Sequence, residues 1–494
     1  MLIKRLDPKD LFDSSNLKTN LANKTVNGGF VTATAQGLQF ILRTISTVIL
    51  ARLLSPVDYG LIAMAAVVTD FLGMFKDAGL STATIQQDHI TREQISTLFW
   101  INVIISTMFG LIVLASAPLL SWFYKRPELI SVIAYLSLNF IFGGLTLQHN
   151  ALLQRHMMFK AQRIILINSQ VIGIIVTIVL AYFGYRYWSL VWGTLFTSLI
   201  SILQTFYYCN WLPGKMEKGV GVRNMLKFGG HITVFDFFNY LARSGDKLLI
   251  GKFIGADALG IYSKAYGLFM LPISQIRNPL TIVALPALSA LKDESDRFAR
   301  YYYKIESVLA TIIIPVVIYC IIETEFIIRT LLGNQWLETI PIFRVLSFCG
   351  LFQALFTTWG IVLLSMGNSK LFLKIGVVNY ILTIISFSIG LQWGIKGVAL
   401  SYTIYNYLSL IPVLYFAFRR TPIKLSNFFQ VLIIPFFISA VSYIFMQISS
   451  IALADYQNIN HIASGLLFFL SYIAFTMLRP SIRELLIRSK IDTQ

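Results

Sequence analysis

Charge is what this sequence has least of. Only 13% of its 494 residues are Asp, Glu, Lys or Arg, about half the share of a soluble domain, while 56% are hydrophobic. A chain so short of charge cannot cover a water-facing surface, and it reads as an all-α polytopic membrane protein. Cysteine is almost absent. Cys209, Cys320 and Cys349 lie inside apolar runs, match no metal or CxxC spacing, and read as packing residues. The five histidines, His89, His149, His156, His231 and His461, are dispersed without metal spacing, so no metal is expected. There is no GxxxxGK[ST] loop, which excludes ATP hydrolysis by this chain. The first 28 residues lack the apolar core of a signal peptide and are expected to form a cytoplasmic leader. Long polar gaps are missing too, since none exceeds roughly twenty residues, and so no extramembrane domain is available to house a catalytic site. The formal charge of +17 forms no soluble basic patch, which argues against nucleic acid as a partner.

What is present is a series of apolar runs of membrane-spanning length. They predict about fourteen helices, at 29–53, 60–83, 95–117, 129–153, 164–183, 188–209, 229–252, 258–288, 305–328, 338–364, 371–391, 395–417, 429–451 and 461–478. With both ends placed inside, the alternate gaps carry 26 Lys and Arg on the inner side and 7 on the outer. That asymmetry satisfies the positive-inside rule and predicts cytoplasmic termini. The longest gap, 210–228, is basic and reads as a linker. The expected organisation is a leader (1–28), six spans (29–209), the linker, six further spans (229–418), two C-terminal spans (429–478) and a tail (479–494). A shift of 200 residues lays ILARLLSPVDYGLIAM (49–64) over LIGKFIGADALGIYSK (249–264), aligning Arg52 with Lys252, Gly60 with Gly260 and Arg43 with Arg243. Because six is even, both copies enter the membrane in the same direction. Parallel halves with a substrate path between them follow.

The candidate site residues are the polar groups inside these runs. Arg43 lies nine residues before Arg52, so at 1.5 Å per residue it sits roughly 14 Å below the interface, near the middle of the bilayer. An arginine there costs about 3 kcal/mol or more and marks a functional position. Gln36, Gln39, Arg43, Ser46 and Thr47 share one helical face. The competing reading is a stripe that only joins helices. In the seventh run, Asp236, Asn239, Tyr240, Arg243 and Asp246 repeat the pattern, and Asp70, Lys264 and Arg277 are further in-run candidates. Asp246 and Lys247 also admit a plain reading as a self-neutralised pair. Tyr240, with Phe40 and Tyr266, offers a ring for stacking on sugars or, more commonly, for core packing.

Span 1 with ARLLSPVDYG, the segment KDAGLSTATIQQ (76–87) and the late GIKGVALSYTIYNYL (394–408) together resemble the polysaccharide-transporter branch of the multidrug/oligosaccharidyl-lipid/polysaccharide exporter superfamily, and most of all Wzx-type flippases of the colanic acid exporter kind. The resemblance covers residues 28 to 480 or so. It implies a MATE-like V of two six-helix lobes plus two C-terminal helices. It also implies movement of an undecaprenyl-pyrophosphate-linked oligosaccharide across the bacterial inner membrane, by alternating access. Membrane lipids, a polysaccharide polymerase and a chain-length regulator are the implied partners. Guanidinium groups match phosphate oxygens bidentately and stay charged, which suits Arg43, Arg243 and Arg277 to a pyrophosphate. Family precedent implies a coupling ion, H+ or Na+, for which Asp236, Asn239, Asp246, Asn379 and Asn406 are the oxygen-bearing candidates. Two other classes stay open. A cation-coupled drug antiporter of the same fold is expected to carry acidic residues in its first lobe, where Asp70 lies, and a polytopic polymerase or glycosyltransferase needs a larger outer loop than any here.

Overall fold

In the computed structural model of the chain, residues 21–75, 80–86, 90–217, 244–452 and 457–477 are described, and no strand occurs among them. The chain divides into two compact units, Met1–Gly260 and Ile261–Gln494. The first holds α1 (Leu21–Leu53), α2 (Pro56–Gly73), α3 (Leu80–Gln86), α4 (Arg92–Tyr124), α5 (Glu128–Arg155), α6 (Phe159–Tyr182), α7 (Tyr187–Cys209) and α8 (Gly245–Phe253). The helix α9 (Ala256–Ala290) leads into the second unit, which continues with α10 (Ser295–Ile322), α11 (Thr324–Leu331), α12 (Thr339–Phe356), α13 (Trp359–Ser365), α14 (Ser369–Gly390), α15 (Gly394–Phe418), α16 (Leu425–Ala452) and α17 (Gln457–Met477).

Among the described residues nine helical stretches are long and apolar enough to cross a membrane by length and composition, the stretch 369–418 counting α14 and α15 together. The runs predicted at 95–117, 129–153, 188–209, 258–288, 395–417 and 429–451 each lie inside one helix. Helix α1 is not among the nine, and the polar stripe that makes it interesting is the reason: two glutamines and two arginines dilute its apolar residues.

Local chemistry fixes the helix starts. Ser55 caps α2 in a reciprocal box with Asp58, and Thr91 caps α4 in the same way with Gln94. Asp58 does more than cap. It is buried, takes the Ser55 hydroxyl at 2.6 Å and the Tyr187 backbone N–H at 3.1 Å, and faces the Arg186 guanidinium at 3.7 Å, so it ties the start of α2 to the start of α7.

Packing in the first unit pairs α4 with α5 and α6 with α7, with α1 laid on α6. Small residues set the α6–α7 spacing. A Cβ on Gly173 would stand 2.9 Å from the Gly193 carbonyl oxygen, and one on Gly193 would stand 3.0 Å from that of Gly173. A second crossing joins α2 to the first turns of α9. There the Gly60 Cα faces the Ala256 carbonyl and the Gly260 Cα faces the Pro56 carbonyl, so closely that a Cβ at either would overlap the oxygen, at 1.7 and 1.9 Å. The segment 210–217 is strapped to α4 and α5: Ser96 and Thr97 bond Gly214 and Glu217, Trp100 donates to the Gly214 carbonyl, and His149 meets the Trp211 carbonyl. In the second unit α14 packs on α15, α12 on α15, and α10 lies against both α12 and α16.

Candidate functional site

The positions of the expected stripe lie on α1, in the first unit. Leu38, Ile41 and Ile45 face outward, as apolar residues at a lipid boundary do, and Arg43, about 200° round the helix from Ile41 and Ile45, is exposed as well. Arg43 makes no ion pair among the described residues. One turn before it, Gln39 buries its side-chain amide nitrogen without a hydrogen-bond partner among the described residues, and one turn after it Ser46 is buried. The stripe therefore runs from a donor inside the protein to a cation outside it.

Asp70, on α2, is exposed, and the charge of Lys247 on α8 acts on it. Asp246 is buried and accepts the Lys247 backbone N–H at 2.7 Å. Arg243, Tyr240, Asp236 and Asn239 lie outside the described residues.

In the second unit Lys264 and Arg277 sit thirteen positions apart on α9, about 20 Å along the axis. They serve different surroundings. The Lys264 ammonium lies 5.9 Å from the centre of the buried Trp336 ring, within cation–π range. The Arg277 guanidinium donates to the Thr357 hydroxyl at 2.8 Å. Of the two asparagines, Asn379 accepts from the Tyr405 hydroxyl at 2.6 Å through its side chain, whereas Asn406 donates to the Tyr402 carbonyl one turn back. Tyr405 also lines an apolar groove of about 760 Å³ on α12, α14 and α15, bordered by Ile385, Ile389, Trp393, Lys396 and Ile404.

Glu306, Tyr302 and the pair Thr357–Thr358 are absent from the sequence reading. Glu306, within the run 305–328, is fully buried on α10, and neither of its carboxyl oxygens has a hydrogen-bond partner among the described residues. One turn before it, the buried Tyr302 hydroxyl lies 3.0 Å from the hydroxyl of Thr358. Thr357 and Thr358 are the break between α12 and α13, inside the run expected as one span, 338–364. The signal available for Glu306 is a carboxylate inside an apolar run, one residue from its edge.

Comparison with known proteins adds the context. The family model described as "Polysaccharide biosynthesis protein" matches residues 49–341. Among curated proteins, the teichuronic acid biosynthesis protein TuaB of Bacillus subtilis is 28% identical over 379 residues, covering 75% of this chain and 78% of that one. The lipopolysaccharide biosynthesis protein WzxC of Escherichia coli is 25% identical over 426 residues, 85% of this chain and 86% of its own. Among solved structures, the lipid II flippase MurJ in an inward closed conformation superposes with a TM-score of 0.70 at 16% identity, covering 93% of this chain and all of that one. An inward-facing MATE multidrug transporter of the MOP superfamily gives 0.63 at 13% identity, covering 78% and 98%. At those identities the two structures establish the fold.

Proposed function

The chain belongs to the polysaccharide biosynthesis protein family, and from that premise we propose that it is a flippase rather than an enzyme. Its cargo is an undecaprenyl-pyrophosphate-linked oligosaccharide, moved from the inner to the outer leaflet of a bacterial cytoplasmic membrane by alternating access, for exopolysaccharide, capsule or O-antigen synthesis. Fourteen spans in two six-helix lobes plus a C-terminal pair, cytoplasmic termini, a driving gradient of H+ or Na+, and a polymerase and chain-length regulator as partners complete the reading. The charge asymmetry of the gaps supports the orientation.

Arg43 is the observation that carries it. A guanidinium exposed within a membrane-length run of α1, with no ion pair among the described residues, is a cation kept in reserve for an anion that arrives. A pyrophosphate fits, because its oxygens match the guanidinium fork and its lipid tail remains among apolar side chains. Arg277 offers a second guanidinium in the other unit, and Arg243 is the repeat partner of Arg43. The names of the relatives, which concern teichuronic acid and lipopolysaccharide, point to the same class of cargo.

The test is export in cells that lack the native gene and produce variants inserted at the wild-type level. A charge-assisted bond worth about 1.5–3 kcal/mol implies that Arg43→Ala lowers the export rate about 10- to 100-fold. Arg43→Lys keeps the charge but loses the fork, and recovers part of it. Normal export by the Arg43→Ala, Arg243→Ala double variant sinks the proposal.

A further inference from the structure

Glu306 is a carboxyl group in a place where a carboxylate is poorly served. It is wholly inaccessible, and neither oxygen is hydrogen-bonded among the described residues. The polar groups that act on it are the hydroxyls of Tyr302, one turn back on α10, and Thr358, at the α12–α13 break. The donors at that break can be assigned. Thr358 gives its hydroxyl proton to the Leu355 carbonyl at 2.6 Å, so in the 3.0 Å contact with Tyr302 it is the tyrosine that donates. Tyr302 therefore has one O–H and two possible acceptors, the Thr358 hydroxyl oxygen, which it uses, and the Glu306 carboxyl, which it does not. On the neighbouring residue of the same break, Thr357, sits the guanidinium of Arg277. A two-residue interruption of a helix thus has a buried acid on one side and the proposed phosphate-binding cation on the other.

We infer that Glu306 is a proton-binding site, and that its occupancy is relayed to Arg277 through the Tyr302–Thr358 bond and the break at 357–358. With the proton on Glu306 the carboxyl is neutral, and Tyr302 holds Thr358. When the proton leaves to water in another state of the transport cycle, the carboxylate becomes the stronger acceptor and draws the Tyr302 hydroxyl away from Thr358. The break is then held by one bond fewer, and the Thr357 anchor of Arg277 shifts with it. Discontinuous helices are where transporters place substrate and ion sites, because their freed backbone groups tolerate two arrangements. The proton site stands by itself; the relay to a substrate rests on the flippase reading above.

The surroundings isolate this switch. The helices packed against α10 are α11, α12, α16 and α17. Their ionisable groups are Glu325 and Arg329 on α11, which pair with each other, Arg344 on α12, which is exposed, Cys349 on α12, Tyr443 on α16, and on α17 His461, which pairs with Glu323, and Tyr472, which donates to the Thr311 carbonyl of α10. On α10 itself, Tyr303 is bonded to the Lys424 backbone. Tyr302 is the titratable group that faces Glu306.

Infrared difference spectra of the full chain in lipid vesicles, recorded between acid and alkaline pH without substrate, test the site. A protonated-carboxyl band that is lost on raising the pH is expected in the wild type and missing in Glu306→Gln, which keeps the shape and removes the titration. In Tyr302→Phe the same band is expected to persist to higher pH, because the carboxylate has lost its donor. A band unchanged by Glu306→Gln overturns the site. For the relay, the ratio of wild-type to Glu306→Gln affinity for inorganic pyrophosphate is measured across the pH at which the band is lost. The ratio is expected to change there, and a constant ratio overturns the relay. A wild-type chain that binds no pyrophosphate at any pH overturns the relay and the substrate reading together, while the infrared result decides the proton site alone.

Discussion

Asp58 shows how a residue of a recognisable motif can serve the fold. In the run ARLLSPVDYG it draws attention as a conspicuous carboxylate, yet its oxygens are taken up by Ser55, Tyr187 and Arg186. Asp58→Ala is expected to remove the Asp58 half of the α2 capping box, its bond to the Ser55 N–H, worth about 1 kcal/mol, and to orphan the Tyr187 N–H at a further cost of about 1–3 kcal/mol. A lowered melting temperature in detergent, partly restored by Asp58→Asn, is the expected outcome, and unchanged melting contradicts the assignment. Arg43 was legible from sequence because an arginine amid Ile, Leu and Val has few explanations. Glu306 was not, because the boundary of its run was read from hydropathy at residue 305, whereas α10 begins at Ser295. Eleven residues of amphipathic helix precede the carboxylate and carry it into the interior. Hydropathy averages a window and does not see where a helix has already begun.

At the scale of elements, the sequence placed the long helices well and missed the breaks. Apolar runs of twenty residues compel helix in lipid, since every backbone group must be satisfied within its own segment. The same sum is blind to an interruption such as Thr357–Thr358, or the one at Glu323 between α10 and α11, where both sides stay apolar. Close approach between helices is equally hidden, because a glycine in an apolar run is as consistent with loose packing as with tight. The structure separates the cases. Gly173 lies against Gly193 and Thr197, whereas Gly37 has open space where a Cβ would go. Gly173→Ala is therefore expected to destabilise the α6–α7 pair by about 1–3 kcal/mol through overpacking. Gly37→Ala should instead stabilise its helix by up to about 1 kcal/mol. Opposite shifts in denaturation midpoint check the pair; shifts of the same sign count against the packing described.

For the whole molecule, the orientation in the membrane is the proposal that rests most directly on composition. Single cysteines at the exposed positions Lys125 and Gln335 are expected to react with an impermeant thiol reagent added outside intact cells, and one at Ser295 to be protected. The reverse pattern would invert the topology. The 200-residue repeat was faint in sequence, since few side chains survive in both copies. The crossing of α2 with α9 gives it physical content: position 60 meets 256, and position 260 meets 56. Each contact is the other displaced by one repeat. Such a patch is its own complement, each of its two positions meeting the repeat equivalent of the other's partner. A side chain added at Gly60 and one added at Gly260 therefore press on a single interface from its two faces, and their effects are coupled rather than independent.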